Sequence, residues 1–139
     1  FTIMREKKMP VLVMFIDLDR LKYINDTFGH EYGDFAIVSI AKAMLKHCDA
    51  DAIAARTGGD EFIVLEGAKD EESGRVLAQK IRTELSKTQR AMQLPFDLSA
   101  SIGAVVAHPG EENVLESYVK RAEMLMYEEK AEKKVSRDS

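Results

Sequence analysis

The sequence predicts an α/β (α+β) sandwich: a ferredoxin-like βαββαβ core whose mixed sheet is covered by helices. Three observations predict it. "VLVMFI", 11–16, is a continuous apolar run of the kind that forms a strand buried on both faces. "AIAA" and "FIVLEG" flank "RTGGDEF" as the two arms of a hairpin. Around them, strand-like and helix-like stretches follow in the order strand, helices, hairpin, helix, strand, helix.

Each element has its own warrant. The first strand ends in "DLD", which puts acids at its carboxyl end. After a short helical stretch and the "FGHEYGD" loop, Ile37, Ile40, Ala41, Met44 and Leu45 recur at helical spacing. The glycine turn between the hairpin arms carries two glycines and two acids. Leu77, Ile81 and Leu85 mark a second long helix. "LSASIGAVV", 98–106, alternates as a strand does. Val114, Leu115, Tyr118, Ala122, Leu125 and Met126 mark a last helix, and a charged tail follows at about 131–139. Tyr118 and the stretch Met124 to Met126 are read as core.

The chain has 139 residues, enough for one domain with a sizeable core and too few for two. No repeat, low-complexity stretch or Pro/Gly linker divides it, so residues 1–139 are read as a single domain. A net charge of -4 argues against a nucleic-acid binder that relies on a basic field. The single cysteine, Cys48, excludes an intrachain disulfide and fits a reducing, cytoplasmic setting. No apolar run approaches a membrane span, and no signal peptide is visible. Because the chain begins at Phe1 without a Met, it is expected to be a piece of something longer, so tethering to a membrane would come through other domains.

Chemistry concentrates at two strand ends. With the first strand central and the hairpin beside it, Asp17 and Asp60 are expected to lie near each other at one edge of the sheet. Two unit charges about 4 Å apart repel by roughly 4 kcal/mol at an effective dielectric of about 20. A fold keeps such a pair only with a compensating cation. Hard oxygen ligands with no His or Cys nearby point to Mg²⁺, which completes its shell with phosphates and water. Metal-bridged phosphates in turn suggest phosphoryl or nucleotidyl transfer. The bland alternatives are that the tip acids are solvated turn residues, that Gly-Gly supplies positive φ, and that Asp17 and Asp19 are helix N-caps.

"FIDLDRLKYINDTFGHEYGD" followed by "ARTGGDEF" closely resembles the GGDEF family, the diguanylate cyclases. "SASIGAVV" is similar to the family's "SIG" strand, and "RAEMLMYEEKAEKK" to its closing helix. The resemblance implies a nucleotide-cyclase or polymerase-palm-like fold and condensation of two GTP into cyclic di-GMP. It also implies Mg²⁺, with Mn²⁺ as the alternative cation, a homodimer for catalysis, and an upstream sensory or dimerising domain in the full-length protein. No nucleic-acid partner and no membrane insertion by this domain are expected. The runner-up expectation is a catalytically weak, GTP-binding regulatory domain of the same family within a larger signalling protein.

By position, the resemblance implies Asp17, the Leu18 carbonyl and Asp60 as metal ligands. Asp60 also sits where the 3′-hydroxyl must be activated. Glu61 is given a second-sphere or nucleotide role, and alternation along the strand is expected to send it to the other face from Asp60. Gly58 and Gly59 would let the backbone approach phosphate. Lys22 and Lys130 match phosphate-contacting positions, and Lys134 stands where the family usually has Arg, a fork that a point charge replaces only in part. Asn25 and Asp34 match the base-reading pair. Guanine's two parallel N–H donors suit a carboxylate, so Asp34 predicts guanine over adenine. Without the resemblance, Asp34 would read as an N-cap.

Three departures stand out. "KHCDADAIAAR" lacks the family's "RxxD" inhibitory pattern, with Asp51 one place out of register, so no product inhibition is expected through that surface. The leading "LTGLxNR" segment is absent, and the closing "GRN" is replaced by "KKV".

Overall fold

The computed structural model describes residues 9–108 and 115–138. Phe1, the helix position Val114 and the last tail residue, Ser139, lie outside the described residues. Within them the chain runs β1 (Val11–Leu18), α1 (Leu21–Phe28), α2 (His30–His47), β2 (Ile53–Arg56), β3 (Glu61–Gly67), α3 (Ser73–Ala91), β4 (Ala100–Ala107) and α4 (Leu115–Asp138). The strands form one sheet in the order β2-β3-β1-β4, the split βαβ arrangement of a ferredoxin-like core.

The sheet is antiparallel at every pairing, not mixed. The physical reason lies in the strand order. β1 and β2 run the same way, but β3 is inserted between them. β3 and β4 also run the same way, and they flank β1. Helical crossovers thus join strands that are parallel yet never neighbours.

β1 is buried along its whole length, as its unbroken apolar run requires. Leu12, Met14, Ile16 and Leu18 face a cluster that includes Ile40, Met44, Leu77, Ile81 and Leu85 from α2 and α3. Val11, Val13 and Phe15 face Tyr118, Ala122 and Met126 from α4. Each such fully buried side chain contributes roughly 1.5–3 kcal/mol of transfer free energy. The α4 stripe is spaced by four, so Met126 is core while Met124 is 61% and Leu125 41% exposed. Reading Met124 to Met126 as a core stretch was therefore too broad. The charged tail does not leave the helix: α4 continues through Asp138.

Two glycines set helix positions. Gly29, with φ 100°, adopts a left-handed conformation that breaks α1 from α2. Phe28, Tyr32 and Phe96 pack edge-on or tilted around that elbow and tie it to the loop before β4. At Gly103 in β4, a Cβ would lie 2.0 Å from the Ala122 carbonyl oxygen and 2.4 Å from the Met126 nitrogen. Only a residue without a side chain lets α4 seat this closely on the sheet.

Candidate active site

β1 carries its alternation one residue past the core. Asp17 follows Val13 and Phe15 onto the α4 face of the sheet. It lies opposite Glu61 of β3 on one side and Ser101 of β4 on the other. It is only 4% exposed, and its Oδ1 accepts no hydrogen bond. The Leu18 amide donates to the Asp60 carbonyl at 3.0 Å, which pins the turn residue beside the strand end. The Asp60 carboxylate then lies near enough for its charge to act on Asp17. Burial pushes the Asp17 carboxyl up to about 7; Lys130 opposes the rise and the Asp60 charge adds to it.

The counter-charge arrives from the far end of the chain. Lys130 on α4 places Nζ 3.2 Å from Asp17 Oδ1. This is a charge contact; the hydrogen bond itself goes to the Leu18 carbonyl, at 3.1 Å. Both carboxylates and the Leu18 carbonyl named from the sequence are thus brought together. Among the described residues no group of three or more His, Cys, Asp or Glu side chains is placed to hold a metal by itself. A buried carboxylate oxygen that accepts no hydrogen bond, a second carboxylate and a backbone carbonyl suit Mg²⁺, whose remaining ligands would be phosphate and water.

Glu61 does not point away from this cluster. Asp60 belongs to the turn and not to β3, so strand alternation does not relate the two acids. As the cross-strand partner of Asp17, Glu61 shares its face. Tyr127 on α4 donates its hydroxyl to Glu61 Oε1 at 2.8 Å. That bond, followed by burial and the neighbouring carboxylates, pushes the phenol up to about 12. The sequence reading missed Tyr127, although a helical residue three positions before Lys130 shares its face.

The turn itself is bare for a reason other than conformation. Gly29 is the only described glycine with positive φ, so Gly58 and Gly59 are not there to supply a left-handed turn. A Cβ at Gly59 would meet nothing within 4 Å, and one at Gly58 would only graze Glu61 at 3.9 Å. Arg56 folds back to donate to the carbonyls of Gly58 at 3.1 Å and Gly59 at 3.0 Å. Across a trans peptide each N–H points opposite to its C=O, so the following amides face away from Arg56.

Asn25 and Asp34 sit on adjoining helices. Asn25 Oδ1 is buried without a partner, tucked where a Cβ on Gly33 would lie 1.8 Å away. Asp34 is exposed on the next residue of α2 and is not an N-cap, because α2 starts at His30 behind Gly29. Lys22 and Lys134 are exposed, on α1 and α4. The N-cap reading also fails for Asp17 and Asp19, since Arg20 occupies the α1 N-cap.

Asp19 has a different task. It accepts hydrogen bonds from Ser99 at 2.8 Å, Ser101 at 2.6 Å and Lys133 at 2.7 Å. Burial would raise its carboxyl, but these donors and the Lys133 charge outweigh that and hold it low. Arg82 forks onto Glu129 at 2.8 and 2.9 Å, and Glu129 in turn lies 3.2 Å from Lys133. The network ties the second half of α4 to the strand ends, which fixes the stem that carries Tyr127 and Lys130.

Known proteins resemble this chain in sequence and in fold. The family model "Diguanylate cyclase, GGDEF domain" matches residues 2–136. The probable diguanylate cyclase DgcT of Escherichia coli is 36% identical over 127 residues, 89% of this chain and 28% of its own length. Diguanylate cyclase VdcA of Vibrio cholerae is 34% identical over 134 residues, 94% of this chain and 39% of its own length. This chain thus spans well under half of either curated relative. Among solved structures, the active GGEEF domain of a diguanylate cyclase from Vibrio cholerae superposes with a TM-score of 0.75 at 26% identity, covering 92% of this chain and 81% of that one. The GGDEF domain of YfiN (TpbB) from Pseudomonas aeruginosa gives 0.76 at 30% identity, with 94% and 82% covered.

Proposed function

Since this chain belongs to the GGDEF family of diguanylate cyclases, we propose that it condenses two GTP into cyclic di-GMP and two pyrophosphates. The observation that carries the proposal is the meeting of Asp17, Asp60 and the Leu18 carbonyl at one sheet edge with an ammonium from α4. Asp17, Asp60 and Leu18 would hold Mg²⁺ (or Mn²⁺), which supplies charge neutralisation and lowers the pKa of the attacking hydroxyl. Asp60 is adjacent to that hydroxyl and assists its deprotonation. Glu61, oriented by Tyr127, borders the same space. Lys22, Lys130 and Lys134 together with the turn amides meet the phosphates. Asn25 and Asp34 read guanine, the carboxylate accepting from both Watson–Crick-edge donors.

Each 3′-oxygen attacks the α-phosphorus of the other GTP and displaces pyrophosphate. A cyclic product then needs two facing half-sites, which a two-fold homodimer provides. In a longer protein, an upstream sensory or dimerising module would control that encounter. No helix among the described residues is long and apolar enough to cross a membrane.

The test is to incubate the chain, fused to a dimerising module, with GTP and Mg²⁺ and to identify the products by mass. Cyclic di-GMP is expected from the parent chain. Asp60→Asn should lose about 100-fold or more in turnover while keeping most of its nucleotide affinity. No product and no guanine-selective binding by the parent chain would refute the proposal.

A further inference from the structure

Lys130 does more than wait for phosphate. Its Nζ lies 3.1 Å from the Leu18 carbonyl oxygen and 3.2 Å from Asp17 Oδ1, with Asp19 Oδ1 at 3.9 Å. Two of these oxygens are the ones proposed for the divalent cation. Mg²⁺ binds oxygen at about 2.0–2.1 Å, and an ammonium already in contact with Asp17 Oδ1 and Leu18 O competes with it for both oxygens and repels its charge. The ammonium is held in a defined place: it rises from the stretch of α4 that Lys133 anchors to Asp19 at 2.7 Å and Arg82 anchors through Glu129.

We infer that Lys130 acts as a resident counter-cation which must move off Asp17 and Leu18 before a divalent cation can load, and so couples metal binding to nucleotide binding. This rests on reading the site as a metal–nucleotide centre. Metal alone has to displace the ammonium from both near oxygens and leave it only the Asp19 carboxylate, at 3.9 Å and already bonded to Lys133. A triphosphate arriving with the metal gives the ammonium new oxygens and the metal its missing ligands. Metal and nucleotide therefore favour one another, by the same factor in either direction. Lys130 is in this sense a positioning residue for loading as well as a phosphate contact.

The experiment titrates metal-free protein with Mn²⁺, reading free Mn²⁺ by electron paramagnetic resonance. It is done without nucleotide and with a guanosine triphosphate analogue whose α–β bridge cannot be cleaved, after correction for the analogue's own Mn²⁺ binding. Removing the charge in Lys130→Gln should tighten nucleotide-free Mn²⁺ binding by about fivefold or more, within the usual range of couplings. The gain in Mn²⁺ affinity on adding the analogue should shrink by a similar factor. Lys130→Arg, which keeps a cation, should stay close to the parent. If Lys130→Gln binds Mn²⁺ no more tightly than the parent, the inference is overturned. When the parent still takes up Mn²⁺ with the analogue and Asp17→Asn does not, the metal–nucleotide reading survives that failure. Absence of Mn²⁺ uptake by the parent under both conditions overturns both.

Discussion

Replacing Gly103 with Ala tests how the site is assembled, because it touches no proposed ligand. The added methyl would stand 2.0 Å from the Ala122 carbonyl oxygen, 2.4 Å from the Met126 nitrogen and 2.9 Å from the Leu125 Cβ. Ordinary contact begins near 3.4 Å. Two of the three clashes are with helix backbone, so no rotamer change relieves them, and α4 must retreat by roughly an ångström. Overpacking of this kind costs typically about 1–3 kcal/mol, and the upper end is expected here. Against a domain stability of about 5–15 kcal/mol, the variant still folds. The same retreat carries Lys130 away from Asp17 and Tyr127 away from Glu61, contacts now at 3.2 and 2.8 Å. A misplacement of about 1 Å can cost on the order of 100-fold in rate. Urea unfolding of the parent and variant gives the stability difference, and cyclic di-GMP production under folded conditions gives the catalytic one. If Gly103→Ala unfolds within about 0.5 kcal/mol of the parent and retains its turnover, the glycine socket is not what seats α4.

Three further outcomes follow from individual contacts. Asp17 has its folded-state pKa raised from 3.8 to about 7, so the folded chain holds a proton that the unfolded chain releases, and stability falls as pH rises through that window. With metal chelated, Asp17→Asn should therefore be more stable than the parent by up to about 4 kcal/mol near pH 8, the gap narrowing to about 2 kcal/mol near pH 5; no advantage near pH 8 in urea unfolding would contradict the burial argument. Tyr127→Phe removes the donor to Glu61 on an exposed helix face, so turnover should drop by about 3–10-fold with the unfolding midpoint unmoved; unchanged turnover would make the contact incidental. Gly33→Ala drives a methyl to within 1.8 Å of Asn25 Oδ1 and 2.9 Å of its Cγ, which the amide can escape only by rotating. The KM for GTP should rise by about tenfold while kcat holds, and a KM equal to the parent's would detach Asn25 from base recognition.

Much of the fold was legible because its signals are local. The unbroken apolar run of β1 announced burial on both faces, and the hairpin arms around the glycine turn announced their own pairing. Strand direction across the sheet was not legible, since a run buried on both faces looks alike beside parallel and antiparallel neighbours. Glu61 was misplaced because alternation was carried from β3 into a turn residue that strand geometry does not govern. Tyr127, Lys133 and the Arg82–Glu129 fork went unnoticed for a different reason. Their partners lie 66, 114 and 47 positions away, and no period in the sequence encodes a helix docking on a strand end.

The bare turn shows where folding stops explaining the sequence. A glycine is forced by left-handed φ, as at Gly29, or by close packing, as at Gly103. Gly58 and Gly59 meet neither demand: their φ is not left-handed, and a methyl at Gly59 would project into empty space. Their carbonyls are already engaged by Arg56 on one side, which leaves the amides free to serve the other. A turn with nothing to gain from glycine in its own packing, set beside a buried carboxylate whose Oδ1 accepts no hydrogen bond, has spare room and spare polarity in the same place. That is the arrangement a large, anionic, metal-carrying substrate requires, and it is the reason to seek the demand for both glycines in a bound nucleotide.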